Sequence, residues 1–318
     1  MALAIGVDIG GTKVAGGVVD DEGQVIDRER RETPGDDVAY TESTIVEVVH
    51  ALTTRHEVTA VGIGAAGWIA KDHATVLFSP HLAWRNEPLR HALAGHIEQP
   101  VIVENDANAA AWAEYRFGVA QGQQVVVCVT LGTGIGGGLV IDGSVYRGGY
   151  GLACEYGHMT VVPDGRRCAC GNRGCWEMYA SGRALARDAI ELAADSPVAA
   201  AAMIELAGSV DELTGPVVTA AAAAGDPAAQ SICTTMGRWL GRGLASLAAI
   251  IDPTMFVIGG GVSAAGELLL RPAREEFAHT LPGRGFRPAA TVALAALGPD
   301  AGLVGAADLA RKYTAQSR

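Results

Sequence analysis

The sequence is poor in positive charge and has no long apolar run. Its 318 residues include 24 Lys and Arg against 35 Asp and Glu, which gives a formal net charge of −11. A chain this acidic offers no evident basic surface for nucleic acid, and it is not expected to associate with an anionic membrane. Its apolar stretches, such as 244–251, are too short to cross a bilayer, and the first strand-like run starts at Leu3 without a charged leader. We therefore expect a cytoplasmic protein without nucleic-acid or membrane partners.

Cysteine is sparse except in one short segment. Three of the six cysteines, Cys168, Cys170 and Cys175, lie within eight residues, and His158 precedes them. Three thiols and an imidazole are the ligand set of a closed, tetrahedral structural zinc site, and the glycines inside the segment permit the tight turns that such a site needs. Buried free thiols or a redox pair are the alternatives. The other three cysteines stand in apolar surroundings and are expected to be small core residues.

The chain length and the order of the apolar patterns predict two α/β domains. Up to Gly118 the patterns indicate the order β-β-β-α-β-α-β-α, which describes a three-stranded meander followed by right-handed βαβ units. The pattern restarts after Gly118 with a strand over 125–131. Residues 77–88 are interpreted as a loop, residues 89–97 as a helix, and Asp226-Pro227 as the start of a long helix.

Two glycine-rich turns each connect a pair of predicted strands. The first is Asp8-Ile9-Gly10-Gly11-Thr12-Lys13, and the second begins with Gly132-Thr133-Gly134. Glycines let backbone amides approach a phosphate closely. Asp8 is suited to hold Mg²⁺ through water, and Thr12 and Lys13 offer further donors. Either turn alone is also compatible with a plain β-hairpin, but the pair suggests two related halves that clamp a triphosphate from both sides.

Two other glycine patterns bear on nucleotide binding. Residues 132–137 match the dinucleotide fingerprint G-x-G-x-x-G, but a predicted strand follows where that motif needs a helix, so we reject it. Gly259-Gly260-Gly261 follows a predicted strand over 255–258. This third run suits a flat adenine or ribose that lies against the backbone.

The stretch from Glu104 to Ala110 is the strongest catalytic candidate. Asn105 and Asp106 stand where a predicted strand turns into a helix, which is where α/β proteins bind ligands. Together they present a donor, several acceptors and a potential base, which suits a polyhydroxylated ligand whose hydroxyl must lose a proton. A helix N-cap is the alternative interpretation, and the two roles are compatible.

Taken together, these segments resemble the ROK family of sugar kinases, and within it the bacterial glucokinases. The matching segments are 8–13, 104–110, 131–138, 155–158, 168–177, 258–261 and 301–307. The resemblance implies an α/β, actin-like and ribonuclease-H-like two-lobed kinase fold with a central cleft and a zinc-binding loop. The N-terminal lobe is expected over 1–118, joined by a C-terminal helix over 300–318, and the larger C-terminal lobe over 119–299.

The resemblance also implies transfer of the ATP γ-phosphate to the 6-hydroxyl of glucose, with Mg²⁺ and a structural Zn²⁺. Asp106 would be the general base. The sugar contacts would be Asn105, Asp106, Glu155, His158, Glu177 and Gly67. The phosphate and nucleotide contacts would be Asp8, Gly10, Gly11, Thr12, Lys13, Gly132, Thr133, Gly134, Gly259, Gly260 and Gly261. The zinc ligands would be His158, Cys168, Cys170 and Cys175, so that His158 serves both metal and sugar.

Two positions depart from the family pattern. Many members have Gly-x-Pro-Gly where this chain has Gly64-Ala65-Ala66-Gly67, and many have Gly where this chain has Cys154.

Because both glycine turns are distant in sequence from the zinc-binding loop, we expect ATP binding to survive loss of the metal.

Several alternatives stay open within this interpretation. Fructose or N-acetylmannosamine is an alternative acceptor, and polyphosphate is a possible second donor. A non-catalytic, sugar-sensing ROK regulator is a rival of another class. Such regulators carry an N-terminal helix-turn-helix, for which the first strand at residue 3 leaves no room, and the net charge argues against DNA. The assembly is expected to be a homodimer or a homotetramer.

Overall fold

The computed structural model describes residues 2–33 and 35–316. The elements, in chain order, are β1 (Ala4–Ile9), β2 (Lys13–Val19), β3 (Val25–Glu32), α1 (Val38–Thr53), β4 (Val61–Ala65), β5 (Trp68–Ile69), β6 (Val76–Phe78), β7 (Arg85–Glu87), α2 (Leu89–Leu93), β8 (Val101–Asn105), α3 (Asp106–Arg116), β9 (Val125–Leu131), β10 (Ile135–Ile141), β11 (Ser144–Val145), α4 (Gly182–Asp195), α5 (Ala201–Ala207), α6 (Gly215–Ala223), α7 (Pro227–Ile251), β12 (Met255–Gly259), α8 (Glu267–Thr280), β13 (Thr291–Leu294) and α9 (Ala301–Gln316).

The chain divides into two units, each of which consists of segments that are not contiguous in sequence. The first unit comprises Met1–Gln123, Gly138–Cys154 and Ala296–Arg318, and the second comprises Gln124–Gly137 and Glu155–Ala295. No helix in the described part of the chain is long and apolar enough to span a membrane.

The sheet of the first unit has the strand order β3-β2-β1-β4-β8. The strands β1, β4 and β8 are parallel, with Asp8 opposite Gly64 and Ala65 opposite Asn105. Successive side chains of a strand face opposite sides of its sheet. Ile5 accordingly packs in the core cluster that includes α1, whereas its neighbour Ala4 packs in the cluster with α9. The carboxyl ends of three parallel strands therefore meet at one edge, which carries both Asp8 and Asn105.

A second five-stranded sheet has the order β11-β10-β9-β12-β13, with β12 parallel to both β9 and β13. In each sheet, the first of three consecutive strands is followed in the sheet order by two later strands that run parallel to it. The repeated order agrees with the expectation of two related halves, which the sequence raised from its two glycine turns.

Three parts of the chain differ from the expected elements. The expected loop over 77–88 contains β7 and the end of β6, which join β5 in a small antiparallel sheet. The helix expected over 89–97 ends at Leu93. Residues 198–224, whose Ala-rich sequence indicates no particular element, contain α5 and α6. Strands of two or three residues are too short to show an alternating pattern. The expected start of α7 is confirmed, since the Asp226 side chain accepts a hydrogen bond from the Ala229 amide at 2.8 Å.

The C-terminal helix α9 packs closely because small residues line its contacts. A Cβ on Gly6 of β1 or Gly62 of β4 would lie 1.9 Å from a carbonyl oxygen of α9. On α9 itself, a Cβ on Gly305 would lie 1.8 Å from the carbonyl oxygen of Ala109 in α3. The helix thus lies directly on the strands and on the helix that position Asp8 and Asp106.

We predict that Gly305→Ala destabilises the protein by about 1–3 kcal/mol, the usual cost of overpacking a close contact. Gly302→Ala is the matched control on the same helix, because its Cβ would have 3.7 Å to the nearest atom. The control should be neutral or stabilising by up to about 1 kcal/mol, since Ala favours helix over Gly. Urea unfolding measures both variants. Equal stability of the two would contradict the close packing of α3 and α9.

Candidate functional site

Asn105 is both the end of β8 and the N-cap of α3. Its side-chain oxygen accepts a hydrogen bond from the Asn108 amide at 2.9 Å, so the N-cap interpretation is correct for this residue. Its Nδ2 donates to the Gly67 carbonyl oxygen at 3.0 Å and to the Asp106 carboxylate at 3.1 Å. The capping residue therefore also orients the proposed base and leaves that base at the first position of the helix.

The carboxylates of Asp8 and Asp106 interact at this edge of the sheet. Burial and the nearby charge of Asp106 raise the pKa of Asp8, whereas the charge of Lys13 lowers it. The net effect raises the pKa of Asp8 to about 6. Burial also raises the pKa of Asp106, although the amides of Ala107 and Asp106 and the charge of His81 oppose the shift. Two partly buried, mutually repelling carboxylates favour a bound cation, so the residues present fit a Mg²⁺ ion held near Asp8.

The first glycine turn and Gly67 flank this pair of carboxylates. The amide of Gly10 donates to the Lys13 carbonyl oxygen at 3.0 Å and closes the turn between β1 and β2. Gly67 has a φ of 139°, and a Cβ there would lie 2.2 Å from the Phe78 carbonyl oxygen, so only glycine fits. Beside Gly11 is an open cavity of about 430 Å³, which is lined by Gly11, Gly35, Asp36, Pro80, His81, Leu82 and Ala83.

The two departures from the family pattern have local explanations. Ala66, in place of a proline, is held by the buried Ser79, whose hydroxyl donates to the Ala66 carbonyl oxygen at 2.7 Å. Cys154 has a φ of 74°, a conformation that glycine adopts more readily than any other residue. Its thiol donates to the Tyr146 carbonyl oxygen at 3.8 Å.

In the second unit, the two other glycine runs come together. A Cβ on Gly260 would lie 2.5 Å from the carbonyl oxygen of Leu131, the residue that precedes Gly132. Gly260 has a φ of 82°, which permits this approach. The ends of β9 and β12 therefore bring the turn Gly132–Thr133–Gly134 beside Gly259–Gly260–Gly261, as nucleotide binding by both runs requires.

The Cys₃His set forms one cluster. The ligand atoms of His158, Cys168, Cys170 and Cys175 all lie within 4.8 Å of one another. The sulfurs of Cys170 and Cys175 are 3.6 Å apart, and Nδ1 of His158 is 3.7 Å from the sulfur of Cys168. Tetrahedral zinc with Zn–S bonds of about 2.3 Å separates two sulfurs by about 3.8 Å. These residues therefore fit a zinc ion.

Local backbone structure shapes the zinc-binding loop and anchors it to α7. A Cβ on Gly174 would lie 1.7 Å from the Val162 carbonyl oxygen, so the chain can pass there only with glycine. The loop leads into Trp176, which is fully buried and donates from its indole N–H to the Trp239 carbonyl oxygen at 2.8 Å. A Cβ on Gly243 would collide with the Trp176 ring.

The proposed sugar-binding residues of the second unit surround the imidazole of His158. With Nδ1 facing the sulfurs, Nε2 lies 3.9 Å from Glu155 Oε2. Glu177 lies on the other side, with Oε1 at 3.9 Å from Nδ1 and 3.1 Å from the Cys168 sulfur. This arrangement leaves Nε2 available for another partner and is compatible with a double role for His158.

The expectation that ATP binding is independent of the metal rests on the distance in sequence between the glycine turns and the zinc-binding loop. In the structure, the second glycine turn lies close to the residues that follow that loop. A Cβ on Gly134 would lie 2.4 Å from Oε2 of Glu177. The Gly132 carbonyl oxygen also accepts a hydrogen bond from the Gly182 amide at 2.8 Å. The second glycine turn therefore packs on the segment that follows the zinc-binding loop, and we now expect metal loss to weaken nucleotide binding as well.

Sequence reasoning missed four polar side chains around this site. His81 influences Asp106 by its charge, and Glu104, His73 and Arg147 form a buried cluster behind Asn105. Glu104 was part of the recognised motif without a role of its own. A glutamate at the end of an otherwise apolar strand was the available signal, because such a group must find buried partners.

Comparison with known proteins gives the same result along the whole chain. The model of the ROK family matches residues 4–313. A glucokinase of Streptomyces coelicolor is 48% identical over 98% of this chain and 98% of its own. The crystal structure of a ROK family glucokinase from Streptomyces griseus, in complex with glucose and AMPPNP, is 51% identical with a TM-score of 0.90, covering 98% of this chain and 100% of that one. The ROK hexokinase from Thermus thermophilus is 34% identical with a TM-score of 0.83, covering 99% of each chain.

We predict that the purified protein holds about one zinc per chain and that Cys170→Ser releases it, because three ligands hold zinc less well than four. Cys170 is exposed, so the substitution leaves no cavity in the core. The variant should lose glucose binding and bind an ATP analogue more weakly, while its far-UV circular dichroism stays near native. Metal analysis and calorimetry measure these properties. Cys233→Ala is the control, because this cysteine lies in α7 outside the cluster. Unchanged glucose affinity in zinc-free protein would contradict the double role of His158.

Proposed function

The chain belongs to the ROK family, and we propose that it is an ATP-dependent glucokinase that transfers the γ-phosphate of ATP to the 6-hydroxyl of glucose. The observation that carries this proposal is the similarity to glucokinases over 98% of the chain. The residues proposed for the site offer the groups that the reaction needs. These are a half-buried carboxylate as the base, three glycine runs for the nucleotide and a polar set for the sugar.

Asp106 acts as the general base in this proposal. The 6-hydroxyl of the sugar lies against its carboxylate, which accepts the proton as the oxygen attacks the γ-phosphorus in line. A raised pKa makes the carboxylate a stronger base, provided that it stays ionised at the working pH. Asn105 holds the carboxylate through its side-chain amide at 3.1 Å, so the base is oriented before the substrate arrives.

The glycine turns and Asp8 bind the phosphates. Backbone amides of the turns at 10–13 and 132–134 donate to phosphate oxygens, and the Lys13 ammonium adds a positive charge. Asp8 would hold Mg²⁺, which when bound would neutralise charge on the phosphates. Gly259–Gly260–Gly261 lies against the adenosine. Most of the rate then comes from positioning and electrostatic stabilisation, as in phosphoryl transfer generally.

The choice of sugar depends on Glu155, His158 and Glu177. We propose that these groups bind the end of the sugar that carries the 1- and 2-hydroxyls, with Gly67 and Asn105 holding other hydroxyls. A buried polar group that a wrong sugar leaves unpaired can reduce kcat/KM by about 10⁴-fold. Glucose is therefore preferred over fructose and over N-acetylated hexosamines.

The assembly is proposed to be a homodimer or a homotetramer. Several large apolar side chains are exposed in the described chain, including Phe286 at 98% and Tyr150 at 85%. Light scattering of the purified protein distinguishes the two states from a monomer.

We predict that a panel of hexoses with ATP and Mg²⁺ gives the highest kcat/KM for glucose. Asp106→Asn should reduce kcat by about 10²–10⁴-fold, because it keeps the size of the side chain but removes the base. Glucose affinity should change less. The same panel with polyphosphate in place of ATP tests the second donor, and detection of the sugar phosphate is the readout. Higher kcat/KM for fructose, or near-normal kcat in Asp106→Asn, would contradict the proposal.

A further inference from the structure

A buried cluster of three charged or titratable side chains lies directly behind the proposed base. Glu104 is 1% exposed, although it precedes Asn105 and Asp106 in the chain. Its Oε1 accepts hydrogen bonds from the Asn105 amide at 2.9 Å and from Asn108 Nδ2 at 3.2 Å. The same carboxylate therefore holds the backbone of the N-cap residue and a side chain in the first turn of α3.

Arg147 balances the charge of Glu104, and His73 lies beside its second carboxylate oxygen. Arg147 Nε lies 3.2 Å from Oε1, and His73 Nδ1 lies 3.5 Å from Oε2. Burial opposes ionisation of Glu104, but His73, Arg147 and the Asn105 amide together hold its pKa below the usual value. A buried carboxylate without such partners would cost several kcal/mol. Removal of any one of the three side chains is therefore expected to destabilise the arrangement of the other two.

The hydrogen bonds of Arg147 also determine the tautomer of His73. Arg147 Nη1 lies 3.0 Å from His73 Nε2, and a guanidinium can only donate. His73 Nε2 must therefore accept, which places the ring proton on Nδ1, the nitrogen that faces Glu104. Arg147 Nη2 donates further to the Ala70 carbonyl oxygen at 3.2 Å. A single planar side chain thus connects the carboxylate, the imidazole and the backbone before His73.

The cluster joins segments that are far apart in sequence. His73 stands in the turn between β5 and β6 and has a φ of 53°. Its carbonyl oxygen accepts a hydrogen bond from the Val103 amide at 3.0 Å, in the strand that ends at Asn105. The Arg147 carbonyl oxygen accepts from the Ala153 amide at 3.1 Å, and Ala153 lies two residues before Glu155. Arg147 therefore holds both the end of β8 and the segment that leads to a proposed sugar contact.

We propose that Glu104, His73 and Arg147, which we call the buried anchor, are positioning residues that aim Asn105 and Asp106 at the sugar hydroxyl. This inference rests on the proposed kinase function and deepens it. The anchor does not touch substrate. It fixes the first turn of α3, and a small displacement of a base from its productive position can cost about 10²-fold in rate. A merely structural cluster would lower stability and leave the rate of the folded enzyme unchanged.

Glu104→Gln and Arg147→Lys test the anchor. The first keeps shape but removes the negative charge. The second keeps the positive charge but cannot reach His73, Glu104 and Ala70 at once, because an ammonium lacks the planar fork of a guanidinium. We expect kcat to fall by about 10–10²-fold in both variants, with the KM for ATP within about twofold of the natural enzyme, because phosphate contacts lie elsewhere. Arg147→Lys should lose less stability than Glu104→Gln.

Asp308→Asn is the matched control. Asp308 is a second buried carboxylate of the first unit, with partners Trp112 at 2.8 Å and Arg311 at 2.9 Å, and it joins α3 to α9 away from Asn105. All variants are assayed well below their melting temperatures. Loss of kcat in the anchor variants, with normal kcat in Asp308→Asn, supports the proposal.

Three outcomes would overturn it. If the natural enzyme is active and the anchor variants match Asp308→Asn in kcat, the anchor is only structural. If both anchor variants fail to fold while Asp308→Asn folds, the anchor is likewise a stability element. If the natural enzyme phosphorylates no hexose, the proposed function fails, and the inference that rests on it fails with it.

Discussion

The central constraint on the first unit is that two interacting carboxylates, those of Asp8 and Asp106, are held at one edge of its sheet and partly out of water. Burial disfavours the ionised form of both groups, and the charge of Asp106 further disfavours ionised Asp8, so both pKa values rise. The surrounding groups reduce this cost without removing it. The amides at the start of α3 and the ammonium of Lys13 do so directly, and the side-chain amide of Asn105 orients the base. Ionised carboxylates in this environment are unfavourable in the free protein. A bound cation and a sugar hydroxyl can both reduce that unfavourable free energy.

The fold provides the rigidity that such a pair requires. Parallel strands place Asp8 and Asn105 at one edge of the sheet, and α9 packs against the glycines of β1 and β4 so closely that an added methyl group would collide. A second sheet repeats this strand order, and the second unit supplies its own glycine turn. There, Glu177 lies beside both the cysteine cluster and that turn, so a zinc ion bound by the cluster would act on the proposed sugar and nucleotide contacts together.

Much of this could be predicted from sequence, because the informative signals are local. The α/β class, the family, the cysteine cluster and the start of α7 depend on residues close together in the chain, and the structure and its relatives bear them out. The rest depends on tertiary contacts. The strands β5, β6 and β7 are too short to show a period, and Arg147 meets Glu104 although the two residues are 43 positions apart in sequence. The closeness of Glu177 to Gly134 is similarly invisible to spacing, and because of it we no longer expect ATP binding to be independent of the metal.

The central claim is that the site holds its carboxylates at a cost to stability, and the pH dependence of Asp8→Asn tests it most directly. Because folding raises the pKa of Asp8 from 3.8 to about 6, the folded state binds more protons than the unfolded state across this window. The free energy of unfolding of the natural protein should therefore fall as the pH rises from about 4 to about 6. The Asp8→Asn variant has no titrating group at this position and does not show this loss of unfolding free energy. A pKa shift of this size corresponds to a loss of about 3 kcal/mol at most. Thermal unfolding without divalent cations should show Asp8→Asn gaining several °C over the natural protein by pH 8, with little gain at pH 4. A difference between the two proteins that does not change with pH would contradict the account.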